Sequence, residues 1–363
     1  MQAFNAPDSL ALIAAPMVNQ SDLPFRLLTR RHGATLAYTQ MLSPHLLLND
    51  QDYLEFHLRD IRAEFDGSTG LERPVVVQLH GNDPDILVKA ARVVQTSCDG
   101  IDLNLGCPQE HAKDGHYGGY LLGKADWPLV EQIVSSMSNS LSIPVSTKIR
   151  LCEPSSLTPL LGTRLAAAGS SWITLHARHV NAKRRRAGAA DLNAVKILKD
   201  TLVAEGFPNV PVISNGNVGT WEHILENRKE TGADGIMVGE ILLDNPCIFE
   251  NATPDPVLIS LEYLELCKTY PTASMTAIRT HIRHFVEHQC ARRPWYPHFR
   301  AALNVCHTVN DVEALLRGKV VRWRGKGGAT PLRSMAGKGM LGSQAEDDLE
   351  DAQDVDLSES VLF

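Results

Sequence analysis

A cysteine that follows a hydrophobic run is the residue of this chain best suited to chemistry. Cys107 ends the segment Asp102-Leu103-Asn104-Leu105-Gly106-Cys107-Pro108. We expect its thiol at the end of a buried strand, where it can act as an acid or a nucleophile. Three glycines (Gly115, Gly118 and Gly119) follow within a dozen residues and predict a mobile flap beside the thiol. The alternative is that Cys107 is a small core hydrophobe.

Other hydrophobic runs also end in polar residues. Gln78, Lys148 and His176 bring an amide, a cation and an imidazole to three such ends. Glycines follow two later runs, in residues 214–218 and 238–240, and their exposed backbone N–H groups are typical of a phosphate cradle. If these ends meet at one mouth, the group suits a phosphorylated flavin, with Lys148 stabilising the reduced ring.

The elements that would position these residues follow from periodicity. Short apolar runs recur at intervals of one strand plus one helix, and amphipathic stretches such as Ile86–Val94 and Leu129–Val134 separate them. The eight runs are Leu10–Ala14, Thr35–Thr39, Val75–Leu79, Gly100–Asn104, Val145–Ile149, Trp172–Leu175, Val210–Ile213 and Gly235–Val238. This arrangement predicts an α/β fold, a TIM (β/α)8 barrel, whose chemistry sits where the strands end. No GxGxxG or P-loop motif follows a strand, so a Rossmann domain has no support.

The strand pattern stops near residue 254. Val257–Lys268 and Met275–Gln289 predict helices, and Ile278, Ile282, Phe285 and Val286 share one face of the second helix. Residues 279–338 include twelve Lys and Arg residues and only three acidic residues, whereas residues 343–363 include eight acidic residues and no basic one. We therefore expect a barrel in 1–253, a small basic all-helical domain with its own core in 254–338, and a disordered acidic tail in 339–363.

Composition narrows the class of protein. The chain has 363 residues, of which 44% are hydrophobic, enough for a large core. Its seven cysteines show neither CxxC pairs nor zinc spacing, which argues against a disulfide scaffold or a metal site and favours a reducing compartment. No apolar stretch approaches the roughly 18 residues of a membrane helix, and the amino terminus lacks a basic leader. We expect a monomer without an obligate protein partner, in the cytoplasm or also the nucleus.

The motifs together resemble one family, the tRNA-dihydrouridine synthases. The resemblance runs from Ala15 to about Phe249 and is carried by several segments in family order. These are Ala15-Pro16-Met17-Val18 with Asp22-Leu23-Pro24-Phe25-Arg26, residues 102–108 with Gly118-Gly119-Tyr120-Leu121-Leu122, Lys148-Ile149-Arg150, Leu175-His176-Ala177-Arg178, Asn215-Gly216-Asn217 and Gly232-Ala233-Asp234-Gly235-Ile236-Met237. Pro108-Gln109, His116-Tyr117-Gly118 and Glu240 are most similar to the eukaryotic branch that reduces uridines 16 and 17 of the tRNA D-loop.

The resemblance implies a cofactor and residue roles. It implies FMN as cofactor, NADPH as reductant and Cys107 as the catalytic acid. The implied cofactor-binding residues are Pro16 and Met17 under the ring, Gln78, Lys148 and His176 as polar contacts, and Asn215, Gly216, Asn217, Gly239 and Glu240 near the phosphate. Many family members carry arginine where Glu240 stands.

The resemblance also implies tRNA as the partner and a helical domain that grips it, for which cations and aromatics such as Trp295 suit RNA. The candidate substrate residues are Asn104, Arg150, Arg178, Arg184, Arg185, Arg283, Arg292, Arg293 and Arg300. Three alternatives stay open. The helices could be a structural cap, the barrel could reduce a small molecule through a flavin, or the chain could be a non-catalytic RNA-binding module.

Overall fold

Eight parallel strands close into a barrel in sequence order. The structure is a computed structural model that describes residues 9–65, 74–182 and 188–325. The strands are β1 Leu12–Ala14, β2 Leu36–Leu42, β3 Val75–Leu79, β4 Gly100–Leu105, β5 Val145–Leu151, β6 Ile173–His179, β7 Val212–Asn215 and β8 Gly235–Val238. Each strand lies on one of the hydrophobic runs, so the predicted TIM barrel is confirmed.

Helices surround the barrel and return the chain from each strand to the next. They are α1 Leu23–Arg31, α2 Pro44–Asn49, α3 Gln51–Phe65, α4 Pro84–Val94, α5 Glu110–Asp114, α6 Trp127–Ser140, α7 Thr158–Ala167, α8 Leu192–Ala204, α9 Trp221–Thr231 and α10 Glu240–Asp244. The predicted helical stretches 86–94 and 129–134 lie within α4 and α6. Asp83 caps α4 by accepting hydrogen bonds from the N–H groups of Asp85 and Ile86.

The barrel interior divides into an apolar floor and a polar upper part. The floor is a separate buried cluster that includes Tyr38, Val76, Trp172, Ile213 and Met237. The indole Nε1 of Trp172 donates to the Tyr38 hydroxyl at 2.9 Å, which satisfies both buried polar groups. Because side chains alternate along a strand, every second residue above this floor also faces the interior. That alternation places Gln78, Asp102, Lys148, His176 and Asn215 in the barrel lumen.

The chain ends in a helical segment, as the sequence predicts. Its helices are α11 Pro256–Thr269, α12 Met275–Cys290, α13 Tyr296–Asn304, α14 Val309–Ala314 and α15 Val321–Gly325, with a π-helical turn at Leu315–Val320. The predicted apolar face of α12 is buried, with exposures of 2% or less at Ile278, Ile282, Phe285 and Val286. These residues belong to the same apolar cluster as the barrel strands and outer helices. The expectation of a separate core was therefore wrong, because α11 and α12 pack directly on α1 and α10.

Three histidines contact carboxylates where the helical segment packs on the barrel. The ring of His281 is fully buried, and its Nε2 lies 2.8 Å from the Asp22 carboxylate, which also accepts a hydrogen bond from the Tyr263 hydroxyl. His284 bonds Asp244 at 2.8 Å. His32 contacts Glu250 and Glu262, at 2.9 and 3.1 Å. A hydrogen bond with the Cys247 thiol, followed by the contacts with Glu262 and Glu250, raises the pKa of His32 to about 11.

Two further expectations concern the ends and the environment of the chain. The predicted acidic tail, 339–363, lies outside the described residues, as do the last thirteen residues of the predicted helical domain. Within the three described ranges, no helix has the length and apolar character needed to cross a bilayer. All seven cysteines are described, and all are free thiols.

Candidate active site at the barrel mouth

Cys107 lies just beyond the end of β4, where the sequence places it. Its side chain is only 9% exposed, so the thiol is more enclosed than a strand-end position suggests. The Asn104 Oδ1 accepts hydrogen bonds from the N–H groups of Gly106 and Cys107, both at 2.9 Å. On the other side of the turn, the Arg150 Nε donates to the carbonyl of Gly106 at 2.8 Å. These contacts fix the backbone that carries the thiol.

The glycine-rich segment after α5 covers this thiol. The Gly119 N–H donates to the Cys107 carbonyl at 3.0 Å. Gly118 has a φ of +63°, and a Cβ built on it would lie 2.9 Å from the Cys107 Cβ. Glycine is therefore required both by the left-handed backbone and by the close approach to Cys107. The predicted flap is in place beside Cys107, and its mobility stays a prediction.

The flap is anchored to the end of β3. The Asn82 Nδ2 donates to the carbonyls of Gly115 and His116, both at 3.1 Å. The His80 and Tyr117 rings lie 4.2 Å apart at 31°. Burial, and then the nearby His111 and His45, lower the pKa of His80 to about 4. His80 is therefore neutral near pH 7 and packs as an aromatic ring against the flap.

Two polar side chains of neighbouring strands face the mouth without a partner. Lys148 of β5 pairs in register with Asn104 of β4, and His176 of β6 pairs with Arg150. Within the described part of the chain, the Lys148 ammonium and the His176 ring make no hydrogen bond or ion pair, and the Arg178 Nε is buried without an acceptor. Among the described residues, these three groups are therefore donors without a hydrogen-bonded or ion-paired acceptor.

Burial and mutual repulsion shift the pKa values of these groups. Burial is the main cause that lowers the pKa of Lys148 to about 8, with Arg150 acting in the same direction and Asp102 opposing it. Burial and then the cations Lys148, Arg150 and Arg178 lower the pKa of His176 to about 2. Near neutral pH, His176 is therefore a neutral imidazole beside a cationic lysine. Such a site favours a ligand that carries negative charge.

Gln78 and Asp102 lie one layer below the mouth. Gln78 is 1% exposed and Asp102 is fully buried. The Gln78 Nε2 donates to the Asp102 carboxylate at 2.8 Å, and the Asn104 Nδ2 donates to the Gln78 Oε1 at 2.9 Å. The Ser146 hydroxyl also donates to Asp102, at 2.6 Å. Asp102 belongs to the Cys107 motif, but the sequence analysis assigns it no role. An acidic residue inside a hydrophobic strand is unusual and could have marked it as functional.

The ends of β7 and β8 hold the predicted phosphate cradle. Gly216 has a φ of +124°, and a Cβ there would lie 2.7 Å from the Ala190 Cβ. The Asn217 side chain both donates to and accepts from the backbone of Ala190, at 2.7 Å each. The Asn215 Nδ2 donates to the Met237 carbonyl at 2.8 Å. The two asparagine side chains thus organise the loop, and a phosphate contact stays a prediction.

The remaining predicted cofactor residues lie around the end of β1. Pro16 and Met17 follow β1 directly and are half-buried. A Cβ on Gly239 would lie 3.9 Å from the Met17 sulfur, so the ends of β1 and β8 are adjacent. Glu240 begins α10 and is exposed. These positions surround the same mouth as Lys148 and His176.

The arginines predicted to contact substrate fall into separate groups. Arg150 is 8% exposed, and its guanidinium also donates to the carbonyls of His179 and Ala182, at 3.0 and 3.3 Å. It therefore holds loops at the mouth, and RNA contact stays a prediction. Arg184 and Arg185 lie outside the described residues. The Arg178 side chain points into the site described above.

The helical segment contributes the other predicted arginines. Arg292, Arg293 and Arg300 are exposed and have no ion-pair partner among the described residues. Arg283 is half-buried and lies 3.6 Å from Glu287. The Trp295 ring stacks against that of Trp323 at 6.1 Å and 24°, which leaves two half-buried indoles in the same segment as the free cations.

A cavity of about 250 Å³ separates the barrel mouth from the helical segment. Asn19, in the loop after β1, and Gln40 of β2 line one wall. The residues on the other wall belong to the loop before α12 and to its first turn, and they are Pro271, Thr272, Ala273, Ser274 and Ala277. The loop before α12 therefore lies on the β1–β2 side of the barrel.

Comparison with known proteins identifies relatives over most of the chain. The sequence profile described as dihydrouridine synthase (Dus) matches residues 12–323. The tRNA-dihydrouridine(16/17) synthase [NAD(P)(+)] of Saccharomyces cerevisiae is 35% identical over 319 residues, which cover 85% of this chain and 71% of that protein. The tRNA-dihydrouridine(16/17) synthase-like protein of Mus musculus is 36% identical over 271 residues, which cover 74% of this chain and 54% of that protein.

More distant matches support the same grouping. The tRNA-dihydrouridine(20a/20b) synthase-like protein of Homo sapiens is 31% identical, with 78% of this chain and 84% of that protein covered. A solved structure of 2-naphthoyl-CoA reductase in complex with 2-naphthoyl-CoA has a TM-score of 0.51 at 11% identity, with 66% of this chain and 49% of that chain covered. The structural match concerns the fold alone.

Proposed function

The chain belongs to the dihydrouridine synthase family, and from that membership we propose that it is a tRNA-dihydrouridine synthase. It would reduce the C5–C6 double bond of uridine in the tRNA D-loop. The names of the yeast and mouse relatives favour positions 16 and 17. We further propose FMN as cofactor, NADPH as reductant, and action as a monomer in the cytoplasm or nucleus.

The observation that carries this proposal is the placement of Cys107 beside an unsatisfied cationic site. The thiol is held by a rigid turn at the end of β4, and the register pairs Asn104 of this strand with Lys148. A proton donor and an anion-attracting group therefore share one mouth. A reductive addition to a double bond delivers one hydrogen as a proton and the other as a hydride. The Cys107 thiol would donate the proton, and the cationic group would hold the anionic cofactor that supplies the hydride.

The donor set fits a phosphorylated flavin. Lys148, His176 and Arg178 offer buried or half-buried donors that no described residue satisfies. Buried donors left without partners are costly, so a ligand rich in acceptors and negative charge accounts for them. A Cβ on Gly216 would lie 3.5 Å from the His176 ring, so this loop lies next to the donor set. We propose that Pro16, Met17, Gln78, Asn215, Gly239 and Glu240 complete this binding site.

The chain's own residues would divide the remaining work. Bound FMN, once reduced, supplies the hydride that adds to C6 of uracil. The Cys107 thiol donates a proton to C5, and solvent later returns a proton to the sulfur. Lys148 is a cation and would stabilise negative charge on the bound cofactor. His176 is neutral, so it would contribute a hydrogen bond but no positive charge. The flap over Cys107 limits the access of water to the reacting atoms.

RNA recognition would use the helical segment. Arg292, Arg293 and Arg300 are free to neutralise phosphates, and the half-buried indoles of Trp295 and Trp323 can contact bases or sugars. The uracil itself must leave its stack to reach a thiol inside a barrel mouth. The cavity between the mouth and α12 leaves room on the path between these surfaces.

The decisive experiment measures the product directly. Purified protein, NADPH and unmodified tRNA should yield dihydrouridine, mapped by position. Cys107→Ala should keep its visible flavin absorbance and lose the product, whereas Cys290→Ala, a matched change of a buried thiol in the helical segment, should retain it. A yellow protein that turns over NADPH with small enones but not tRNA would identify a small-molecule reductase. A colourless protein that binds tRNA would identify a non-catalytic module.

A further inference from the structure

A chain of side-chain hydrogen bonds runs from the barrel interior to the Cys107 turn. It starts at the Asp102 carboxylate, passes through the Gln78 amide and the Asn104 amide, and ends at the N–H groups of Gly106 and Cys107. Its four distances lie between 2.8 and 2.9 Å. Each link joins neighbouring strands or the turn, so the chain crosses from β4 to β3 and back.

The polarity of this chain has one source. An amide can present either its oxygen or its NH2 group, and the two orientations have almost the same shape. A carboxylate accepts hydrogen bonds only, so ionised Asp102 forces the NH2 group of Gln78 toward it. The Gln78 oxygen then faces Asn104, whose NH2 group must donate to it, and the Asn104 oxygen is left facing the turn.

The reversed polarity would break the turn. If Gln78 presented its NH2 group upward, Asn104 would present its own NH2 group to two backbone N–H groups. Two donors would then lack acceptors in a nearly buried turn, at about 1–3 kcal/mol for each unsatisfied group. The turn would have to move, and Cys107 with it.

We propose that Asp102 is the positioning residue for the thiol: through Gln78 and Asn104 it fixes the orientation of both amides and holds the Cys107 turn. Asp102 does not touch the reacting atoms, because it lies fully buried one layer below the mouth. The same carboxylate faces the Lys148 cation and favours its charged form. The claim about the turn stands on the hydrogen bonds alone, and only its consequence for catalysis rests on the proposed function.

The test measures hydrogen exchange of the backbone amides of Gly106 and Cys107 in the full-length protein. The side chain of the Asp102→Asn variant can donate a hydrogen bond to Gln78, so the orientations of the Gln78 and Asn104 amides are no longer fixed. We expect these two amides to exchange about five- to tenfold faster, the loss of roughly one hydrogen bond. Ser146→Ala is the matched control, because it removes the other bond to the same carboxylate without affecting the direction of Gln78.

Two double variants separate positioning from a general loss of packing. In Asp102→Asn with Asn104→Ala, exchange should be no faster than in Asn104→Ala alone, because the variant already lacks the Asn104 amide through which Asp102 acts on the turn. In Asp102→Asn with Gln78→Glu, the new carboxylate accepts from both neighbours, so the Asn104 oxygen again faces the turn and protection should return. If Asp102→Asn does not fold but this second double variant folds and protects the turn, the same conclusion follows.

The outcomes distinguish the inference from the proposed function. Wild-type exchange in Asp102→Asn, or an unprotected turn in the double variant with Gln78→Glu, would overturn the positioning role even if dihydrouridine forms normally. Faster exchange in Asp102→Asn, restored by the second change, supports it even if the wild type makes no dihydrouridine. In that case the proposed function fails and the role of Asp102 in holding the turn stands.

Discussion

Replacing Gly118 with alanine should disable the thiol without unfolding the barrel. The new Cβ would lie 2.9 Å from the Cys107 Cβ and 3.2 Å from its backbone N and O atoms. Ordinary contact begins near 3.4 Å, so the flap or the cysteine must move by about 0.5 Å or more. The left-handed φ of +63° adds roughly 1–2 kcal/mol of strain for alanine.

A displacement of this size is large for a proton donor. A misplacement of about 1 Å can cost around 100-fold in rate, so we expect a 10- to 100-fold slower single turnover of tRNA. Flavin content should stay close to that of the wild type, because Gly118 contacts the turn and not the Lys148–His176 side of the mouth. Melting temperature should fall by only a few degrees.

The assay compares Gly118→Ala with Gly123→Ala in the same segment. Gly123 has a φ of −63° in the extended region, and the nearest atom to an added Cβ is a carboxylate oxygen at 3.6 Å, so this variant should behave like the wild type. Dihydrouridine formed in a single turnover is quantified by mass spectrometry of digested tRNA. If both variants react at the same rate with equal flavin content, close contact between the flap and Cys107 does not control the reaction.

Lys148→Ala should lower retained flavin and slow its reduction by NADPH, since the ammonium has no partner among the described residues; unchanged absorbance and reduction kinetics would remove it from the site. The double variant Arg292→Ala with Arg293→Ala should weaken tRNA binding and flatten its salt dependence without loss of flavin, and a salt series on both proteins shows whether the slope changes. Burial lowers the pKa of His57 and of His80 to about 4, below the unfolded value near 6.5, so the unfolded chain takes up these protons first and the free energy of unfolding falls as pH drops from 6.5 to 4. His57→Gln should remove roughly 1.4 kcal/mol per pH unit from that slope, and equal slopes in both proteins would contradict the assignment.

The local sequence pattern was enough to predict the barrel and the strand ends that carry the candidate site residues. Alternation and helical periodicity act over a few residues, so the strand that ends before Cys107 and the apolar face of α12 are legible in the chain itself. The motif around Cys107 and the resemblance to dihydrouridine synthases gave the family before any contact was known. Predictions of single cofactor residues, such as Glu240, rest on that resemblance and still await a test.

The direction and the partners of long side chains could not be predicted from the sequence. Arg150 occupies a strand end, which suggested substrate contact. Its guanidinium donates to the carbonyl groups of Gly106, His179 and Ala182, which the sequence did not indicate, and substrate contact stays a prediction. Spacing along one element cannot tell which neighbouring element a long side chain will meet, because that depends on packing.

The sequence by itself determined the eight strands, the strand-end position of Cys107, the glycine-rich segment beside it and the family. Only the tertiary structure decided that the helical segment shares the barrel's core, that Gly118 presses against Cys107, and that Asp102 reaches the Cys107 turn through Gln78. The physical reason is the range of the interactions. Periodicity is a property of consecutive residues, whereas the Asp102 chain exists because closure of the barrel sets β3 and β4 in a register that brings Gln78 beside Asp102.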